Sequence, residues 1–187
     1  MADRIVHTAD VLMKREDSVL IIVDVQEKLV PVIAGAEETI QNIVKLVKFA
    51  KIVHIPIVVT EQQNLGRTVE QVRSGIGDIE PITKITFSCF ASDEFQNYLN
   101  CLGRKTLVLT GIESHICVAQ TALEAPRDYK IQVVSDAVAS RDPRNRDIAL
   151  QRMLNTGITV TSTEMLIYEL LAKAGTDEFR ATLPLVR

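Results

Sequence analysis

Tryptophan is absent from this 187-residue chain, and aromatic residues together make up only 4% of it. So few rings exclude a core built on aromatic packing and leave branched aliphatic residues to fill it. Cysteine is scarce as well: Cys89, Cys101 and Cys117 are an odd set with no CxxC spacing. That excludes a disulfide framework and a thiolate zinc cluster, and it fits a reducing, cytoplasmic setting. Neither sign of charge is in excess, because 21 basic residues face 24 acidic ones for a net charge of −3. Nucleic acid and anionic membrane surfaces are poor partners for such a chain. No apolar run reaches the roughly 18 residues of a membrane span. The opening Met1-Ala2-Asp3-Arg4-Ile5-Val6-His7 lacks the apolar stretch of a signal peptide. There is no GxGxxG or P-loop motif, no HExxH or HxH pair and no internal repeat, which disfavours a dinucleotide, a nucleotide or a metal site.

What is present reads as one globular domain spanning residues 1–187, with 47% hydrophobic and 24% charged residues. A chain of this length buries about 70% of its unfolded surface, enough for a core without staples. Ser18-Val19-Leu20-Ile21-Ile22-Val23-Asp24-Val25 is almost unbroken in apolarity, the pattern of a strand covered on both faces. A helix from about Glu37 to His54 follows, then a strand at Ile57–Thr60 and a polar loop from Gln62 to Asp78 with a short helix near Val69–Arg73. A strand near Ile82–Ile85 precedes a helix from Ser92, its N-cap, to Leu102, with Gly103 as C-cap. The second half alternates: strand Thr106–Gly111, helix His115–Ala125, strand Ile131–Ser135, helix Asn145–Asn155, strand Ile158–Thr161, helix Thr163–Ala174. Alternation of this kind predicts an α/β fold with a mainly parallel sheet and helices on both faces.

Ligands of open α/β sheets bind beyond the carboxyl ends of the strands, so polar residues there carry the functional argument. Asp24 ends an apolar strand; it either caps the next helix and meets solvent, or is a catalytic carboxylate at the rim of the sheet. Cys117 follows strand Thr106–Gly111, with Ser114 as the expected N-cap and His115, Ile116 and Cys117 in the first helical turn. There a thiol has its pKa lowered by the helix dipole and lies beside N–H groups that can hold an oxyanion, unless it is simply a small buried hydrophobe. Cys89 and Cys101 lack that setting and read as packing residues. Lys84, among apolar neighbours, either snorkels to water or pairs with a buried acid. His115 is a minor candidate base for Cys117, since i and i+2 residues on a helix do not face each other.

Together these residues resemble the isochorismatase-like cysteine hydrolases, the superfamily of nicotinamidases and N-carbamoylsarcosine amidase. The resemblance is carried by Leu20–Gln26, by Thr83-Lys84 ahead of Phe87-Ser88, and by Gly111-Ile112-Glu113-Ser114-His115-Ile116-Cys117-Val118. Val134–Arg141 and Thr161–Met165 support it, so that the likeness runs from about residue 17 to residue 172. It implies a three-layer α/β/α sandwich around a six-stranded sheet, a triad of Asp24, Lys84 and Cys117, and a cis peptide at Ile112–Glu113. The N–H groups of Glu113 and Cys117 would then face the oxyanion. Nicotinamidases also carry an Asp-x-His and a further His as a metal site. Here that stretch reads Thr60-Glu61-Gln62-Gln63-Asn64, and no histidine lies between His54 and His115. Neither a metal nor a cofactor is therefore expected. Gln62 either binds a substrate amide or is a solvated loop residue, and Phe87 and Phe90 are the rings nearest the triad in sequence.

The reading is a metal-independent hydrolase that cleaves a small amide-like C–N bond through a thioester on Cys117. Two others stand beside it: non-covalent vinyl-ether hydrolysis with Asp24 as proton donor, and a redox-sensing or partner-binding module using an oxidisable Cys117. The family resemblance implies a homo-oligomer, with the apolar tail Leu183-Pro184-Leu185-Val186 expected to pack on a neighbouring subunit.

Overall fold

A computed structural model describes residues 12–186 of the protein; the Met1–His7 opening lies outside them. Six strands, β1 (Ser18–Val23), β2 (Ile57–Gln62), β3 (Ile82–Lys84), β4 (Thr106–Ile112), β5 (Lys130–Ala139) and β6 (Thr159–Thr161), form one sheet in the order β3-β2-β1-β4-β5-β6. Every pairing between them is parallel. The helices are α1 (Ala36–Ile52), α2 (Glu70–Ile76), α3 (Asp93–Leu102), α4 (Ala119–Glu124), α5 (Pro143–Asn155), α6 (Thr163–Leu171) and α7 (Asp177–Val186).

The unbroken apolarity of β1 follows from its place at the centre of the sheet. Leu20 and Ile22 point into a core filled from α1, α2 and α6. Val19, Ile21 and Val23 point into a second core filled from α3, α4 and α5. Both faces of the strand are thus dry, and the result is the expected three-layer α/β/α sandwich. Strand order reverses between β1 and β4, which makes their carboxyl ends the switch point where this architecture opens a crevice. Asp24 leaves β1 there, and the turn that holds Cys117 leaves β4 beside it.

Several expected boundaries shift for local reasons. Helix α1 starts at Ala36, after Gly35 at φ 70°, and ends at Ile52, because His54 is left-handed at φ 58°. Strand β5 runs to Ala139, not Ser135: its register against β4 jumps between Leu109 and Gly111, from Leu109↔Val133 to Gly111↔Val138. The polar Ser135-Asp136 pair that reads as a strand end lies within that bulge. Asp136 is used there, since its Oδ1 accepts from the Thr163 N–H at 2.8 Å and from Thr163 Oγ1 at 2.9 Å at the start of α6. The tail 183–186 is part of α7, whose Phe179, Leu185 and Val186 are partly buried against the core beneath α1 and α6. An amphipathic helix can bury its apolar side against its own chain, which the four-residue run alone did not reveal.

Gly111 fixes the switch point. Its φ is 117°, and a Cβ there would lie 2.1 Å from the Val23 carbonyl oxygen and 2.6 Å from the Val23 nitrogen. No rotamer change relieves a clash with backbone, so β1 and β4 approach as they do only because residue 111 has no side chain. Gly111→Ala is expected to cost ~3 kcal/mol or more. Gly103→Ala, at φ 65° with no atom within 4 Å, is expected to cost only about 1–2 kcal/mol for left-handed backbone. Urea unfolding midpoints of the two variants, compared with wild type, check the difference.

Candidate active site

Asp24 neither caps a helix nor reaches solvent. It is fully buried, at a left-handed φ of 52° that aspartate enters more readily than most residues. Its Oδ2 accepts from Lys84 Nζ at 2.7 Å and its Oδ1 from Thr60 Oγ1 at 2.8 Å. The side chains of the Lys84–Asp24 pair are 1% and 0% exposed, so each charge depends on the other in place of water.

Lys84 has three N–H groups, and the protein uses all three. Beyond Asp24, they go to Gln62 Oε1 at 3.0 Å and to the Thr86 carbonyl at 3.1 Å. The ammonium is therefore fixed as a charge and has no donor left to bind a substrate. This also bears on Gln62, a half-buried residue whose amide is engaged within the protein. Its oxygen receives Lys84, and its Nε2 donates to the Ile85 carbonyl at 2.8 Å. Gln26 in turn holds the backbone of Gln62, accepting its N–H at 2.8 Å and donating to its carbonyl at 2.9 Å. Neither glutamine's positioning role is visible in sequence, because each acts across parallel strands.

Cys117 does not lie in the first turn of a regular helix. Residues Ser114–Val118 form a wide π turn ahead of α4, in which Val118 N–H reaches the Glu113 carbonyl and Ala119 N–H that of Ser114. Ser114 does not cap it, and its buried hydroxyl has no hydrogen-bond partner among the described residues. The expected lowering of the thiol pKa is overturned too. Burial first, and the charge of Asp24 second, push the Cys117 thiol well above its ordinary value, with Lys84 opposing. Both effects favour the protonated thiol, and Asp24 is the carboxylate whose charge bears on it.

Cys89, read as packing, is indeed buried, yet it is also a neighbour of the triad. Its Sγ lies 3.9 Å from Thr60 Oγ1, and burial pushes its thiol from 9.0 up to about 11 against the pull of Lys84. Cys101 is exposed on α3. The Ile112–Glu113 peptide bond is cis. His115 is engaged elsewhere: its Nδ1 shares a 2.9 Å hydrogen bond with Ser140 Oγ and lies 3.7 Å from Glu113 Oε2. Phe87 is exposed on the loop after Lys84. Phe90 is buried, its ring in edge-on contacts with Phe95 and Tyr129 at centroid distances of 5.5 and 5.4 Å. The carboxylate of Glu61 is taken up by Thr68, whose N–H and hydroxyl both lie 2.7 Å from Oε1. Among the described residues no group of three His, Cys, Asp or Glu side chains converges as a metal site.

Two outcomes follow from these charges. Lys84→Met leaves Asp24 buried and unpaired and is expected to cost about 3–5 kcal/mol; adding Asp24→Asn should return much of it in denaturant unfolding. The raised thiol pKa values favour the protonated side chains in the folded state. Their contribution is complete below the ordinary thiol value of 9.0 and is lost as pH climbs toward about 11 for Cys89. Melting temperature should therefore fall less steeply above pH 9.0 in a Cys89→Ala/Cys117→Ala variant than in wild type, in parallel thermal scans.

An Isochorismatase domain profile matches residues 18–165. The chain is 35% identical over 178 residues to the Phytophthora sojae protein named secreted isochorismatase effector Isc1, spanning 91% of this chain and 84% of that one. It is 32% identical over 172 residues to isochorismatase domain-containing protein 2 of Danio rerio, spanning 90% and 86%. Among solved structures, a Caenorhabditis elegans protein described as MAR1 ribonuclease is similar at TM-score 0.86 and 31% identity, over 94% of this chain and 92% of that one. The Escherichia coli YcaC gene product, described as an octameric hydrolase of unknown specificity, shares the fold at TM-score 0.87 and 22% identity, over 94% and 89%. The matched region runs from β1 into α6 and takes in Asp24, Lys84 and Cys117, so the chain belongs to the isochorismatase family of hydrolases.

Proposed function

We propose that this protein is a metal-independent cysteine hydrolase acting on a small molecule with an amide-like C–N bond, by way of a thioester on Cys117. The observation that carries the reading is a buried carboxylate, held in place by Lys84, whose charge bears on the Cys117 thiol at the carboxyl ends of β1 and β4. A thiol with a raised pKa is a poor nucleophile by itself, so proton loss must accompany attack, and Asp24 is positioned to take that proton. Sγ then bonds to the substrate carbonyl carbon, and the oxyanion is received by the N–H groups of Glu113 and Cys117. The Glu113 carbonyl accepts from Ile116 and Val118 and so shapes the turn that carries the Cys117 N–H. When the C–N bond breaks, the amine leaves with the proton from Asp24. Water, deprotonated by Asp24, then adds to the thioester; the acid departs and the proton returns to sulfur. Lys84 stays charged throughout and keeps Asp24 from drifting.

The same reading takes the protein as a cytoplasmic homo-oligomer that binds neither nucleic acid nor membrane. No helix among the described residues is long and apolar enough to cross a membrane. The E. coli neighbour is described as an octamer. The C. elegans neighbour is described as a ribonuclease, but the net charge of −3 here offers little attraction for a polyanion.

The test is to trap the acyl intermediate with a generic acyl donor, p-nitrophenyl acetate, followed by acid quench and peptide mass analysis. An acetyl group on Cys117 is expected, removable by hydroxylamine and absent in Cys117→Ala. Asp24→Asn should slow acylation by roughly 10²–10⁴-fold, the usual share of a general base. Acetylation of Cys117→Ala at the wild-type rate, or of Cys101 in preference to Cys117, overturns the assignment.

A further inference from the structure

Helix α1 carries charges that its own packing does not use. Its buried side, with Ile43, Leu46, Val47 and Ala50, belongs to the core. Glu37, Gln41, Val44 and Lys48 recur at spacings of four, three and four, so they form one stripe along the other side. Glu37, Gln41 and Lys48 are exposed and Val44 is half-buried. Glu38 and Lys45 flank the stripe on one side.

The acids lie in the first turn, where the helix dipole favours them. That pull fades beyond the terminal turns, and Lys45 and Lys48 both come before the last one, so the dipole does not account for them. Gln41 Nε2 donates to Glu37 Oε1 at 3.4 Å. Among the described residues no ion pair is made by Glu37, Glu38, Lys45 or Lys48. The surface between these charges is apolar. Val30, Ile40 and Val44 line a groove of about 740 Å³ together with Glu37, Lys45 and Lys48. Val32, on the short helical turn Val30–Val32 ahead of α1, is 55% exposed.

A face with acids at one end, bases at the other and apolar residues between is complementary to itself when turned end for end. Two antiparallel copies of α1, related by a two-fold axis midway between Gln41 and Val44, set Glu37 opposite Lys48 of the partner subunit. Gln41 then meets Val44 of the partner subunit, and Glu38 comes beside Lys45 of the partner subunit on the flank. Each contact occurs twice, and the two helix dipoles oppose each other.

We propose that the outer face of α1 is a two-fold interface between copies of this chain, with Glu37–Lys48 and Glu38–Lys45 pairs closing around the apolar groove. The proposal rests on the homo-oligomer reading above and goes further in naming the face and its symmetry.

Charge reversal tests it, with mass read by sedimentation equilibrium at low salt, where screening is weakest. Wild type is expected to be oligomeric. Glu37→Lys/Glu38→Lys sets bases against bases across the axis, and Lys45→Glu/Lys48→Glu sets acids against acids. Each is expected to weaken association roughly tenfold or more and to bring the assembly to half its mass or less. Mixed in equal amounts, the two variants meet opposite charges again, and an assembly of wild-type mass containing both should form. That recovery also shows that each variant is folded. A wild-type protein that stays monomeric at its highest concentration overturns the interface and the homo-oligomer together, and leaves the groove to another occupant. An oligomer unmoved by either reversal, or variants that separate and do not recover on mixing, overturns the interface alone.

Discussion

The site is organised by one constraint, the sealed contact between Asp24 and Lys84. Two opposite charges without water can persist only if their remaining hydrogen-bonding capacity is met by the protein, and each neighbour is placed accordingly. Thr60 serves the second oxygen of the carboxylate, while Gln62 and the Thr86 carbonyl serve the rest of the ammonium. Gln26 then fixes Gln62. The chain between β2 and the loop after β3 is thus folded around a pair of charges, and Cys117 approaches that pair from the other side of the switch point.

Much of this architecture is legible in the sequence because it depends on burial. A strand that is apolar at every position, as β1 is, has to be covered on both faces, and strands alternating with helices have to be parallel. Asp24 at the end of such a strand is conspicuous for the same reason. The triad residues are far apart in sequence, at 24, 84 and 117, and the family resemblance groups them before any distance is known. What stays hidden depends on backbone geometry. Nothing in Gly111-Ile112-Glu113-Ser114-His115-Ile116-Cys117 announces a π turn in place of a capped helix. Ser114, a good cap by type, is left with a hydroxyl unpartnered among the described residues. Gln62 looks like any loop glutamine until β2 and β3 are paired, when Gln62↔Lys84 becomes a register contact.

The thiol shows how balance, more than residue type, sets reactivity. A helix N-terminus would stabilise a thiolate, but here the thiol is buried next to a carboxylate, and both effects favour the proton. Lys84 tempers this without reversing it. The resting site is consequently close to neutral overall, with one carboxylate, one ammonium and one protonated thiol. In the mechanism proposed above, charge develops on the substrate oxygen only during attack, and no charged nucleophile waits in the apolar interior.

The complete use of the Lys84 donors within the protein also bears on how such a scaffold diversifies. In the proposed mechanism the lysine reads no feature of the substrate, so the residues that move protons and those that choose a ligand form separate sets. Mutation along the rim can then retarget the enzyme while the chemistry drifts little. Divergent relatives would be expected to differ most in the loops after β3 and β5 and least in the buried pair, and new specificities would arise there without an inactive intermediate.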